Sequence, residues 1–187
     1  MKYKNQSLTK YLNDLAAKLA APGGGSAAAL SAALGASLLS MVVNFTLGKP
    51  RYAAFQKELE GILVKSEQFR KDFLELVDLD VCAYQSKDIR KSLATPLRLA
   101  KLCCQAAKLC SQLIKKGNPN LISDVGVAAV LLESAFVAAR MNVEINLKSL
   151  PDSKLTQSTR EELDQLYKIV LRERKNTEAS IGKVIRR

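Results

Sequence analysis

The sequence predicts an all-α fold, a single-domain helical bundle spanning residues 1–187 around a central Ala-rich helix. Three observations carry that expectation. No stretch shows the strict apolar–polar alternation of a half-buried strand, apolar residues recur at steps of three and four along most of the chain, and Ala27–Leu47 is a run of Ala, Leu, Ser and Val with hardly a large side chain. At 187 residues, 48% of them hydrophobic, one domain can bury a sizeable core.

Ser7 is placed to cap a short amphipathic helix that carries Leu8, Tyr11, Leu12, Leu15 and Leu19 at helical spacing. That helix ends at Pro22-Gly23-Gly24-Gly25-Ser26, where the glycines permit positive φ and close backbone approach, which predicts a bare, amide-lined loop. Ser26 is expected to cap the central helix. Small residues on several sides of that helix (Ser31, Gly35, Ser37, Ser40) let neighbours approach closely, so it belongs in the middle of the bundle or at a subunit interface.

Gly48-Lys49-Pro50 breaks the chain, and a long helix is expected from about Tyr52 to Tyr84. Its apolar face reads Phe69, Phe73, Leu76, Val77, Asp80 and Tyr84, with an acid among the apolar members. Asp78, about 200° away around the helix, is expected in solvent beside Lys71, Glu75 and Cys82. Asp80 is expected inward, either in a structural ion pair or in a functional role, because an unpartnered buried carboxylate is costly or takes up a proton.

A polar connection is expected over Gln85–Thr95, with Pro96 opening a helix that runs to Lys116 on the stripe Leu99, Leu102, Cys103, Ala106, Leu109, Cys110 and Leu113. Gly117 would close that helix as a left-handed cap. Asn118-Pro119-Asn120-Leu121-Ile122 is turn chemistry, and Ser123 and Asp124 suit a helix N-terminus. Leu150-Pro151-Asp152 stops the following helix. A charged outer helix with unlike charges at helical spacing is then expected over Ser158–Val184, ending in the basic tail Lys183, Arg186 and Arg187.

The helix starting near Ser123 carries one face through Asp124, Ala128, Leu131, Ala135, Ala138, Asn142 and Asn146. Asp124 and Asn142 share an azimuth about 27 Å apart, too far to serve one small reacting centre from within one helix. A two-fold homodimer that packs such helices antiparallel would bring the two ends together in two composite sites. The alternative is that Asn142 and Asn146 bond backbone inside one subunit.

Composition excludes several classes. The central run might span a membrane, but alanine and serine contribute little to insertion, Asn44 sits near its end, and no second span is expected, so no membrane partner is. The Gly-rich loop follows no strand and lacks both GxGxxG and GK[ST] spacing. There is no histidine, which removes the commonest general base and zinc ligand, so acid–base chemistry must come from Asp, Glu, Lys, Tyr or Cys. Cys82, Cys103, Cys104 and Cys110 show no CxxC spacing and no signal peptide is visible, which points to reduced core residues and a cytoplasmic location. The net charge of +11 favours anionic partners.

Four stretches in this order resemble the formiminotetrahydrofolate cyclodeaminase/methenyltetrahydrofolate cyclohydrolase family: Pro22–Ser26 with its Ala-rich helix; Asp80 with Ala83-Tyr84; Gly117–Ala128; and Asn142-Val143-Glu144-Ile145-Asn146-Leu147. The stretch Gln85–Thr95 is shorter than its counterpart in that family. The resemblance implies an all-helical homodimer, a tetrahydrofolate derivative as substrate, and no metal or permanently bound cofactor. On this footing Asp80 and Asp124 are candidates for acid–base or electrostatic roles. Gly23, Gly24, Gly25 and Ser26 are expected to supply backbone and hydroxyl contacts, and Asn118, Asn120, Ser123, Asn142 and Asn146 to bind and orient the substrate.

Lys148, with Lys49, Arg51 and Arg140, would attract a polyglutamate tail, although Arg140 and Glu144 are spaced to pair with each other. The implied reaction is the conversion of 5-formiminotetrahydrofolate to 5,10-methenyltetrahydrofolate with loss of ammonia. The alternatives are the cyclohydrolase reaction and, in another class, a non-catalytic basic binding module. Nucleic acid is not the expected partner, since the positive charges are spread over many helices without a binding motif.

Overall fold

A computed structural model describes residues 2–150 and 153–185. Within them the chain forms six α-helices: α1 (Leu8–Ala16), α2 (Gly24–Asn44), α3 (Gln56–Ser86), α4 (Ile89–Lys116), α5 (Ile122–Leu147) and α6 (Ser153–Ile185). Short 3-10 turns at Tyr3–Asn5, Pro50–Phe55 and Pro119–Leu121 precede α1, α3 and α5. Among the described residues there is no strand.

Helix α2 is the axis of the bundle, packed against α3, α4 and α5, while α6 lies outside on α4 and α5. Its small residues decide this. Ala32, Ala36, Leu39 and Val43 are fully buried, and a Cβ on Gly35 would stand 3.1 Å from Leu132 Cγ and 3.2 Å from the Ala128 carbonyl oxygen of α5. Helices α2 and α5 therefore cross almost backbone to backbone. Buried hydroxyls complete the seams: Ser40 donates to Ser66 of α3 at 2.9 Å, and Thr46 Oγ1 accepts from the Asn118 N–H at 3.0 Å, tying the end of α2 to the turn before α5.

Several expectations change. Helix α2 begins at Gly24 with Gly23 as its N-cap, so Ser26 lies inside the first turn and caps nothing. Pro96 sits inside α4, which starts at Ile89 because Asp88 caps it by accepting from the Arg90 and Lys91 N–H groups; Lys87, at φ 56°, makes the turn from α3. Gly117 is extended (φ −81°, ψ 171°), and a Cβ there would meet the Leu113 carbonyl oxygen at 2.6 Å, so space and not a left-handed backbone asks for glycine.

Ser7 does cap α1, accepting from the Lys10 N–H at 3.1 Å, but α1 ends at Ala16, and of its apolar set Leu8, Leu12 and Leu19 are exposed while Tyr11 is buried. A second helix does follow with membrane-spanning length and hydropathy, the turn and helix Pro119–Leu147; it packs along α2, which is the ordinary use of apolar helices inside a bundle.

Helix α6 begins five residues earlier than expected, at Ser153, and its ion pairs reach mostly to other helices: Glu162 to Lys101 at 2.8 Å, Arg160 to Glu144 at 2.9 Å and Arg174 to Glu133 at 2.7 Å. Arg140 pairs with Asp164 at 2.5 Å and not with Glu144. The expected stop at Pro151-Asp152 and the tail residues Arg186 and Arg187 lie outside the described residues.

Asp78 is the sharpest departure. It is 7% exposed, and its Oδ1 accepts from the Tyr3 N–H at 2.5 Å and the Lys4 N–H at 3.4 Å. The N-terminal 3-10 turn lies over that side of α3, and Asp78 satisfies its free amides. The periodicity of α3 alone carries no sign of this cover.

Candidate functional site

Helices α2 and α5 run antiparallel, which sets the start of α2 beside the end of α5 and opposite the last turns of α3. Between them is a pocket of about 300 Å³, lined by Ala20, Ala21, Gly23–Gly25, Asp80, Ala83, Tyr84, Ser92, Asn142, Ile145 and Asn146.

The first turn of α2 has no side-chain cap of its own, because Gly23 has none to offer. Asp80 of α3 takes that place, its carboxylate set against the Gly25 backbone beside the Ser26 N–H, which favours its charged form. A Cβ on Gly25 would stand 2.6 Å from Asp80 Cγ, so only glycine leaves room for the acid here. Gly23 and Gly24 have nothing within 4 Å of where a Cβ would lie, and none of the three has positive φ; they present open amide backbone to the pocket. Burial pushes the Asp80 carboxyl above the usual carboxylate range, with the Ser26 N–H acting in the opposite direction.

On the facing wall Asn146 donates Nδ2 to the Ser92 carbonyl at 2.7 Å, and Asn142 donates to the Ala138 carbonyl one turn back at 2.9 Å. The Ser92 carbonyl is free because its helical partner would be the N–H of residue 96, and Pro96 has none. A proline within α4 thus fixes the orientation of an asparagine on α5, turning the amide oxygen of Asn146 into the group left to accept from a ligand.

The structure therefore brings together Gly23, Gly24, Gly25, Asp80, Asn142 and Asn146. Ser26 is fully buried behind the pocket, accepting from the Tyr11 hydroxyl at 3.1 Å. Ser123 and Asp124 open α5 at the far end, where Asn118 accepts from the Asn120 N–H at 3.1 Å. Lys49 and Arg51 are exposed at that same end. Lys148 is exposed just past the end of α5, on a neighbouring groove of about 500 Å³ that shares Ile145 with the pocket.

Tyr84 and Ser92 line the pocket as well, and neither stands among the candidates that the sequence offers. Tyr84 was findable, being four residues and so one turn beyond Asp80; Ser92 was hidden by the expected loop. Among the described residues no three His, Cys, Asp or Glu side chains gather as a metal-binding group.

The sequence model of the formiminotransferase-cyclodeaminase family matches residues 7–87 and 85–165. The chain belongs to that family. It is 32% identical to the methenyltetrahydrofolate cyclohydrolase of Methylorubrum extorquens over 185 residues, covering 87% of this chain and 89% of that protein. It is also 32% identical to the formimidoyltransferase-cyclodeaminase of Rattus norvegicus, covering 86% of this chain but only 34% of that longer protein. The crystal structure of the formiminotetrahydrofolate cyclodeaminase from Thermotoga maritima superposes with a TM-score of 0.83 at 24% identity, covering 97% of this chain and 96% of that one, a likeness of fold.

Proposed function

We propose that the pocket binds a tetrahydrofolate derivative and acts on its one-carbon unit, as a formiminotetrahydrofolate cyclodeaminase. The observation that carries this reading is a lone half-buried carboxylate, Asp80, set against the bare first turn of α2 on the wall of a pocket whose other side offers amides.

In this reaction N10 attacks the carbon of the protonated formimino group, forming a ring with a tetrahedral carbon that bears an amino group. Asp80 takes the proton released from N10 and returns it to the amino group, the C–N bond to that group breaks, ammonia leaves, and the methenyl cation remains. An acid with a raised pKa suits both transfers, and its charge stabilises the cationic product. Asn142 and Asn146 orient the pterin edge, and the Gly23 and Gly24 backbone lets it lie close. Lys148 meets the glutamate tail.

The cyclohydrolase reading uses the same groups, with Asp80 taking a proton from water as it adds to the methenyl carbon. One observation favours it: the Methylorubrum extorquens cyclohydrolase matches over nearly its whole length. Purified protein offered 5-formimino- and 5,10-methenyltetrahydrofolate separately, with the methenyl chromophore followed as it grows or fades, separates the two. Turnover of neither overturns the enzyme assignment. Retention on generic DNA that weakens with salt, without folate binding, would favour the basic binding module instead.

The same reading includes a cytoplasmic homodimer. Helices α2 and α5 leave apolar stripes beside their seam, Leu30, Leu34, Leu38, Met41 and Phe45 on one and Val127, Val130, Val137, Met141 and Ile145 on the other. A two-fold axis across them would seal both stripes and carry the partner's Asp124 end toward this pocket, making a composite site with Asn118, Asn120 and Ser123. Sedimentation of the native chain and of Met141→Glu tests this: a dimer that the charge dissociates, with loss of activity, is expected, and a fully active monomer overturns it.

A further inference from the structure

Helix α3 carries two carboxylates two residues apart, and only Asp80 lines the pocket. Asp78 instead holds the N-terminal 3-10 turn through the Tyr3 N–H. The Tyr3 ring meets the Tyr11 ring edge-on, with centroids 5.5 Å apart at 86°. Tyr11 is 4% exposed and donates its hydroxyl to Ser26 Oγ at 3.1 Å, in the first turn of α2, where a Cβ on the neighbouring Gly25 would stand 2.6 Å from Asp80 Cγ. The contacts leave α3 at Asp78 and return to it at Asp80.

We propose that Tyr11 is a positioning residue for Asp80: its hydroxyl fixes Ser26, and with it the first turn of α2 against which the acid is set. Phenylalanine would fill the same space and meet Tyr3 in the same way. The hydroxyl must be desolvated to lie there, so its use is the bond it makes, and the buried Ser26 hydroxyl is that bond's other half. Burial raises the pKa of the Tyr11 phenol and the charge of Asp80 adds to this, against the opposing effect of Ser26, so Tyr11 stays a protonated donor at neutral pH. The other titratable side chain on the pocket wall beside Asp80 is Tyr84, one turn further along α3.

The inference rests on Asp80 being the working acid, and its test has a readout that does not. The full chain, labelled with 13C at the aspartate carboxyls, is titrated by NMR, with the Asp80 resonance assigned from Asp80→Asn. In Tyr11→Phe the Asp80 midpoint is expected to rise by at least about half a pH unit, as the Ser26 N–H loosens. On the folate substrate kcat is expected to fall about tenfold, as in other losses of positioning, with KM within about twofold. In a Ser26→Ala background Tyr11→Phe is expected to change nothing further.

An unmoved or lowered midpoint in Tyr11→Phe overturns the proposal, and so does an effect that persists undiminished in Ser26→Ala. If the wild type turns over neither folate, the midpoint alone decides the role of Tyr11, separately from the assignment of function.

Discussion

The backbone of Gly25 and the carboxylate of Asp80 occupy one contact: a Cβ on the glycine would stand 2.6 Å from Asp80 Cγ. Gly25→Ala must push the acid away from the first turn of α2, while Gly24→Ala, with nothing within 4 Å, adds a better helix former in open space. Thermal melts are expected to rank Gly24→Ala at or above wild type, by up to about 1 kcal/mol, and Gly25→Ala below it. Both variants should lose turnover, Gly25→Ala by displacing the acid and Gly24→Ala by standing where the pterin lies close; equal melting of the two variants would contradict the contact.

Asp80→Asn keeps the shape of the side chain and loses the charge. Because burial raises the native pKa of Asp80, the native state holds this proton more tightly than the unfolded chain does. Its contribution to stability is full below the ordinary value of 3.8 and is lost as pH rises through the native pKa. Melts across pH 3 to 8, roughly the range in which a raised carboxyl titrates, should show Asp80→Asn gaining on wild type as pH increases. Its turnover should fall roughly 10²- to 10⁴-fold.

Pro96→Ala supplies the N–H that α4 lacks at that position, and the Ser92 carbonyl then has a helical partner in competition with Asn146. Removing a proline from a helix interior relieves up to about 3 kcal/mol of strain and lost bonding. The expected variant is more stable than wild type yet binds folate several-fold more weakly, as the asparagine swings free. Calorimetry of unfolding and binding on one sample checks both signs.

Cys103, Cys104 and Cys110 are buried and Cys82 is exposed, and burial pushes the Cys110 thiol up to about 12 and the other two buried thiols up as well. A thiol reagent should modify Cys82 alone in the native protein and all four thiols after denaturation. Mass spectrometry counting more than one adduct before unfolding would contradict the packing of α4.

The helices were legible wherever a face runs uninterrupted into the core, as with Phe73, Leu76 and Val77 of α3 or Leu99, Cys103, Ala106, Cys110 and Leu113 of α4. The Gly-rich turn and both asparagines of α5 were legible as features of one kind of site, because residue type and one-turn spacing suffice to bring Asn142 and Asn146 to one wall. What escaped was decided by distant partners. Asp78 looks like a surface acid until residues 3–5 fold over it, and Pro96 looks like a helix start until Asp88 caps the helix two turns earlier. Ser26 likewise reads as a cap, the part that Asp80 plays from another helix.

The near backbone-to-backbone crossing at Gly35 has a bearing on how a ligand gets in. With Leu132 and Ala128 wedged against that glycine, α5 cannot slide or roll along α2 without steric collision, so the glycine turn and the two asparagines keep a constant gauge. Any breathing of the chamber falls to the side lined by Ala20, Ala21 and the exposed Tyr84 ring. Entry and departure are then governed by that side, while the opposite walls act as a rigid vice.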